Sequence, residues 1–506
     1  MRALISVFDK NGIVEFSKEL IDLGWEIIST GGTLKALQDA NLPVLAVEEV
    51  TQSKEILGGR VKTLHPAIHG GILNRRNNPE DQDEIKDLDM KSIDMVVNNL
   101  YPFEETVKDE KSTNEAIIEN IDIGGPSMIR AAAKNFQDVI ILTDPVDYDD
   151  VLDKLKNNTI DFDYRGYLAM KAYQLTAFYD SMIAQTFERK LDFKDWPKYM
   201  VKGYRFDESL RYGENPHQKA AYYIDPLTDD YQLNQLHGKQ LSYNNYNDMK
   251  ACLDLVTEFQ EPVSVAIKHN NPCGVAIGES PLDAYTKAHA VDPISIYGGI
   301  VGFNREIDAA TAEKLSDIFL EIIIAPRFSK EALEILTKKK NIRLMEVSNI
   351  NAFSGQKQTI KEAVGGLLVQ DKDLDLISEN GLQLVSNRQP SEAELEQLHF
   401  AWKVSKHINS NAMVVAKDGM AIGLGHGEVR RVWALEKALA RSEMALEGAV
   451  VASDGFFFAD TIETLNEHKI KAVIQPGGSI QDEKVIAAAK EFDISVVFTG
   501  MRHFKH

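Results

Sequence analysis

Two short strings hold the densest chemistry in the chain: Lys268-His269-Asn270-Asn271-Pro272-Cys273-Gly274 and Arg211-Tyr212-Gly213-Glu214-Asn215-Pro216-His217-Gln218. Each mixes a base or cation with amides and chain-bending Gly or Pro. Packing alone rarely demands that mixture, so both read as site loops positioned by a scaffold. The apolar run Val263 to Ile267 ends in Lys268-His269. It reads as a buried strand delivering two titratable side chains to a sheet edge. His269 has an unperturbed pKa near neutrality and is the natural base or proton shuttle. Lys268 would stabilise an oxyanion or assist the proton transfer. Neighbours on a strand face opposite sides, so both serve one site only if the chain bends, and Asn270-Asn271-Pro272 supplies a reason for a bend. A lone histidine is more often structural; the surrounding string favours catalysis.

Five further elements fall where strand ends are expected in the first 145 residues: Ser6-Val7-Phe8-Asp9-Lys10, Ser29-Thr30-Gly31-Gly32-Thr33, Gly59-Arg60-Val61-Lys62-Thr63-Leu64-His65-Pro66, Asn98-Asn99-Leu100-Tyr101-Pro102-Phe103 and Asp122-Ile123-Gly124-Gly125-Pro126. Glycines at a helix start let backbone N–H groups approach an anion, and hydroxyls with Lys10 would complete a phosphate cradle. The same Ser/Thr/Gly turn is more often only a helix cap. An extended backbone would place Arg60 and Lys62 on one face, where they repel unless an anion lies between them. The alternative is a solvated basic edge. Gly124-Gly125 exposes N–H groups of a kind that hold an oxyanion, or else starts a helix whose Ala131-Ala132-Ala133 run packs on the sheet.

These strings need elements to position them. Residues 1 to about 145 alternate strands (Leu4–Val7, Glu26–Ser29, Met95–Val97, Val139–Leu142) with helices (Ile13–Leu23, Leu34–Ala40), which predicts an α/β fold with a parallel sheet. A long helical pattern covers 165–188, and the polar, aromatic connector Arg189 to Phe206 marks a domain boundary, placed at 195/196. The remainder is a second α/β region. Strands are expected at Val263–Ile267, Gly299–Phe303, Met413–Ala416, Ala472–Gln475 and Ser495–Phe498, and helices at 308–320, 391–406, 430–446 and 482–491. Ile324-Ala325-Pro326 reads as a strand and a stop, followed by an exposed helix at Glu331–Lys340. A break near 388 could divide this region into two subdomains. At 506 residues and 44% hydrophobic the chain suits two to four globular domains. A net charge of −21 argues against sequence-general nucleic-acid binding while leaving room for a local basic pocket. Two cysteines, no signal-peptide layout and no long apolar run lead to the expectation of a cytoplasmic protein without a membrane partner.

Taken together, the strings resemble those of the bifunctional purine-biosynthesis family that joins AICAR formyltransferase to IMP cyclohydrolase, over essentially the whole chain. The resemblance implies a methylglyoxal-synthase-like cyclohydrolase domain at 1–195 and a formyltransferase domain of cytidine-deaminase-like units at 196–506. It implies that Ser6, Lys10, Ser29, Thr30, Gly31, Gly32 and Thr33 face the nucleotide phosphate. Lys62, Tyr101, Asp122 and Lys134 would surround the closing ring, with Arg60, Thr63, Asn99 and Gly124 as further substrate contacts. In that ring closure a carboxamide nitrogen attacks a neighbouring formyl carbon and water leaves, so positioning and oxyanion stabilisation carry most of the work. Which residue moves which proton stays open.

In the second domain the resemblance implies Lys268 and His269 as catalytic groups, and Arg211, Tyr212, Asn411, Phe456 and Arg502 as substrate contacts. It also implies 10-formyltetrahydrofolate as cosubstrate and a homodimer with shared formyltransferase sites. The chain departs from the family pattern at Gly423-Leu424-Gly425-His426-Gly427-Glu428-Val429-Arg430-Arg431, and Phe456-Phe457-Phe458-Ala459-Asp460 is one residue short. Zinc is not expected, because Cys273 stands alone where a deaminase needs Pro-Cys-x-x-Cys and Cys252 is too distant to complete it. Cys273 as a nucleophile is a weak alternative to a packed thiol. No dinucleotide or Walker glycine pattern calls for nicotinamide, flavin or nucleoside triphosphate. Two rival readings remain: a degenerate cyclohydrolase domain, and a purely regulatory N-terminal ligand-binding module.

Overall fold

Four of the five short strands of residues 1–142 are largely apolar and buried, the composition that a parallel sheet covered on both faces requires, and the edge strand Val44–Ala46 is partly exposed. In the computed structural model, which describes residues 1–109, 111–191, 195–228, 232–355 and 358–506, five strands build that sheet. Their order is Val44–Ala46, Glu26–Ser29, Arg2–Ser6, Met95–Asn98, Ile140–Leu142, and all neighbours are parallel. The order reverses direction between Arg2–Ser6 and Met95–Asn98. In an open α/β sheet, the crevice at the strand C-termini of such a switch point is the place for a ligand. Ser6 and Asn98 pair across that point. The long helix is Phe162–Lys190, and Leu168, Ala169 and Ala172 pack into the same core as the strands.

The chain divides into two compact units: residues 1–206 with 223–227, and residues 207–222 with 228–506. Part of the expected connector, residues 192–194, lies outside the described residues.

The second unit contains a repeated order of elements. The first half runs helix Tyr243–Val256, strands Val263–Lys268 and Asn271–Ile277, helix Pro281–Val291, strand Ile300–Phe303, helix Ala309–Leu315, strand Ile322–Ala325, helix Lys330–Leu336 and strand Arg343–Ser348. Glu392–Ser405, Met413–Lys417, Met420–Gly425, Arg431–Arg441, Val450–Ser453, Ala459–Glu467, Ala472–Gln475, Asp482–Glu491 and Ser495–Phe498 repeat that order. Residue 388 falls in the connection between the halves. They share one twelve-stranded sheet, joined where Asn271–Ile277 runs antiparallel to Met420–Gly425, and one core cluster draws on both.

Some expected elements are shorter than their patterns. The 308–320 helix is Ala309–Leu315, and the 430–446 helix stops at Arg441. The helix expected as exposed over Glu331–Lys340 is Lys330–Leu336, and its Ala332 and Leu336 are fully buried against the sheet. No helix among the described residues is long and apolar enough to cross a membrane.

Candidate active sites

A cavity of about 840 Å³ opens at the switch point of the first sheet. Ser6, Lys10, Thr30, Gly31, Gly32, Thr33, Arg60, Lys62, Thr63, Asn99, Tyr101, Asp122 and Gly124 all line it, as the sequence reading requires. Its floor is the start of the Gly31–Asp39 helix, where backbone N–H groups and the helix dipole favour an anion. A Cβ on Gly31 would lie 3.7 Å from Lys62 Nζ, and one on Gly32 would lie 3.7 Å from Lys10 Cε. The two ammonium groups therefore converge on the glycines. Thr30 occupies the N-cap position, yet its hydroxyl makes no capping bond and is buried without a partner. The simple helix-cap reading is thus not realised. An unpaired buried hydroxyl at a helix start calls for an explanation, and an anion supplies one.

Other members of the set act through the backbone. Thr33 Oγ1 accepts from Val7 N–H at 3.0 Å and donates to Val7 O at 2.9 Å. Asn99 Oδ1 accepts from the N–H groups of Phe8 (2.6 Å) and Asp9 (3.0 Å), fixing the loop that carries Lys10. Tyr101 packs edge-on against Phe8 with ring centroids 4.5 Å apart. Asp122 Oδ1 accepts from Gly125 N–H at 3.0 Å, and Asp122 N–H donates to Tyr179 OH at 2.8 Å. Burial raises the Asp122 carboxyl above its usual range, against the opposing pull of the Gly125 and Gly124 N–H groups. A Cβ on Gly125 would overlap that carboxylate, so glycine is required for this close approach.

Three expectations are corrected here. Ser29 is fully buried, outside the cavity lining, and its hydroxyl donates to Ile5 O at 2.7 Å, so it ties two strands together. Arg60 and Lys62 are not side by side on an extended strand. Gly58 and Gly59, with φ of 64° and 96°, turn the chain just before them, and Arg60 itself is helical. Each cation has its own carboxylate: Lys62 Nζ meets Glu55 at 2.5 Å and Arg60 pairs with Glu119. Lys134 sits at the far end of the Gly124–Lys134 helix, about 15 Å from the Gly124 start at 1.5 Å per residue. It opens onto a separate surface cavity of about 610 Å³ with His65, His69, Arg130 and Tyr173. Two residues not named as contacts also line the main cavity: Asn98, which heads the string Asn98 to Phe103 and whose buried Oδ1 has no partner, and Glu55.

In the second unit, strand Val263–Lys268 ends at Lys268, and Lys268 pairs with Asn271 at the start of the return strand. The chain does bend, but at His269-Asn270 itself, with φ of 54° and 60°, rather than through Asn271-Pro272. Pro272 lies inside the return strand beside a register shift, where a missing N–H is tolerated. Lys268 Nζ donates to Tyr297 O at 2.9 Å. The Arg211–Gln218 and Lys268–Gly274 strings meet on one helix, Tyr243–Val256. Asn244 Nδ2 donates to Glu214 O at 3.3 Å, and one turn further Asp248 Oδ1 accepts from Asn270 N–H at 2.6 Å. Arg211 lies over the Tyr212 ring at 5.5 Å. Burial pushes the Cys273 thiol up to about 12, opposite to what a thiolate nucleophile needs.

Asn411, Phe456 and Arg502 form a second group. Asn411 Oδ1 accepts from Arg431 Nη2 at 2.7 Å, and Arg431 Nη1 is bound to Ser453 Oγ at 2.6 Å and Asp454 Oδ1 at 2.5 Å. The Arg502 guanidinium lies 5.0 Å from the Phe456 ring centroid. Arg431 and Asp454 are buried and hold Asn411 in place; their only signal at the level of sequence is their position in the departing 423–431 string and beside Gly455-Phe456. Registers place both groups on the same edge of the sheet. Three strand steps separate Val263–Lys268 from Met413–Lys417 and six separate it from Ser495–Phe498, about 14 and 29 Å at ~4.8 Å per step.

Comparison with known proteins identifies the family. The family model described as MGS-like domain matches residues 12–127, and that described as AICARFT/IMPCHase bienzyme matches residues 132–441. The chain is 50% identical over 512 residues to the "Bifunctional purine biosynthesis protein PurH" of Caldicellulosiruptor saccharolyticus, covering 100% of this chain and 99% of that one. It is 50% identical over 510 residues to the protein of the same name from Listeria monocytogenes, covering 100% of both. A solved structure titled "Crystal structure of ForH" is 38% identical, spanning 37% of this chain and 98% of its own at a TM-score of 0.34. The chain belongs to the AICARFT/IMPCHase bienzyme family.

Proposed function

We propose that residues 1–195 carry ring closure and residues 196–506 carry formyl transfer. The family makes the chain a bifunctional enzyme of the last two steps of IMP synthesis: formylation of AICAR, then dehydrative closure of formyl-AICAR. AICAR formyltransferases in general use a formyl-tetrahydrofolate, and 10-formyltetrahydrofolate is the donor proposed here.

The observation that carries the reading is the switch-point cavity, where a phosphate cradle and a proton-exchanging group share one space. The phosphate would lie over Gly31-Gly32 between Lys10 and Lys62. The ring would lie toward Tyr101 and Asp122, with Lys62 facing the oxygen that gains charge as the carboxamide nitrogen attacks. Asp122, raised by burial, is suited to exchange a proton there. Lys134 takes no part in this cavity of its own chain.

For formyl transfer, His269 is the base that takes the amine proton, and Lys268 supports the developing oxyanion. Arg211, Tyr212, Asn411, Phe456 and Arg502 bind substrates. The spacing of the two groups along the sheet edge supports a homodimer in which His269 of one copy works with Asn411, Phe456 and Arg502 of the other. The division of labour is tested by Lys62→Ala in the full chain. Loss of one cation facing a developing charge costs roughly 10²–10³-fold in ring closure, with formyl transfer retained. Loss of both activities in a folded protein would sink the two-site assignment.

A further inference from the structure

We infer that Asp248 is a positioning residue for formyl transfer: its carboxylate holds the His269-Asn270 turn in the conformation that presents the His269 imidazole. The inference rests on the reading of His269 as the base.

The turn needs holding. His269 and Asn270 are the two central residues of a tight hairpin between Lys268 and Asn271, and both have positive φ. Hairpins of this kind favour Asn-Gly, because two consecutive left-handed residues are strained for side chains other than Gly, Asn or Asp. Here a histidine fills the first position. Strain at such a residue persists only where neighbouring structure over-determines it.

Asp248 supplies that constraint. Its Oδ1 accepts from Asn270 N–H at 2.6 Å. With its amide nitrogen turned toward acceptors, Asn270 donates a further bond to Asp248 Oδ1 at 3.1 Å and one to Asn247 O at 3.0 Å. The backbone N–H and the side-chain amide of Asn270 thus converge on one carboxylate oxygen, and this fixes the turn. From the other side, Asn271 Nδ2 donates to His269 O at 2.8 Å. Asp248 is itself half-buried on the Tyr243–Val256 helix, whose first turn is locked by the reciprocal Ser242–Asn245 capping box. A rigid element therefore transmits its position to the catalytic turn, and the same helix holds the Arg211–Gln218 string through Asn244.

The test uses the full-length enzyme and three variants. Asp248→Ala should lower kcat for formyl transfer about 10- to 100-fold, the scale of a displacement near 1 Å. KM should change much less, and closure of supplied formyl-AICAR should stay at the parent rate. Asp248→Asn keeps an oxygen that accepts from Asn270 N–H and should recover most of kcat. The third variant, His269→Ala, separates the two claims. Parent-like transfer by a folded His269→Ala protein removes the reading of His269 and this inference with it. If His269→Ala loses transfer while Asp248→Ala retains parent kcat, only the positioning role falls. It falls likewise if Asp248→Ala and Asp248→Asn both lower the two activities in step with the folded fraction.

Discussion

The cavity in residues 1–206 is closed by one end of one sheet, whereas the site residues of 207–506 are strung along a sheet edge in two groups about 14–29 Å apart. The difference follows the chemistry. Ring closure joins two atoms of a single substrate, and a single switch-point crevice can surround it. Formyl transfer brings two large substrates together. A sheet built from two similar halves offers separate groups of residues for them, and a second copy can complete the pair.

The largest expected effect tests the self-sufficiency of each site. His269→Ala should reduce kcat for formyl transfer by roughly 10²–10⁴-fold, the usual contribution of a positioned general base. Ring closure of supplied formyl-AICAR should proceed at the parent rate, and the thermal melt should be unchanged. A fall in both activities with the melt would make His269 structural and blur the contrast.

Next in size is complementation between copies. Chains carrying His269→Ala, mixed and reassembled with chains carrying Arg502→Ala, should regain about a quarter of parent transfer. Random pairing gives half mixed dimers, each with one intact site. No recovery from any such pairing, with Asn411→Ala tried as the second partner, would place each formyl-transfer site within a single chain.

The smallest effect is a pH dependence in the first unit. Burial raises the Asp122 carboxyl above 3.8, so between that value and its folded pKa the native chain retains a proton that the unfolded chain releases. Stability therefore falls as pH rises through this window and levels off above it. Asp122→Asn keeps an acceptor for Gly125 N–H but removes the titration. The stability of the variant relative to the parent should grow with pH across the window, measured by denaturant unfolding. A flat difference would show that the carboxyl is not held in its neutral form.

The legible parts of the fold were those fixed by local pattern. Glu26–Ser29, Ala472–Gln475 and Ser495–Phe498 coincide with the expected strands residue for residue, because each is a short apolar run with a sharp polar or Gly/Pro stop. The cavity-lining set was legible largely through the family resemblance. Arg60 and Lys62 were misplaced because alternation assumes an extended chain, and the positive φ values of Leu57, Gly58 and Gly59 break that assumption. Lys134 was misplaced because a helix carries residues ten positions apart to its opposite ends. Asp248 was illegible for a different reason: its bond spans 22 positions and depends on which helix packs beneath the turn. The doubling of the second unit was legible only as a break near 388 and, through the resemblance, as repeated units, because its likeness lies in element order and not in repeated residues.

The two cations that converge on Gly31-Gly32 are not equivalent: Lys62 is paired with Glu55, whereas Lys10 Nζ donates to the carbonyl of Phe8. An anion seated between them would compete with a carboxylate for one ammonium group and with a neutral carbonyl for the other, so Lys10 would give up less on its arrival.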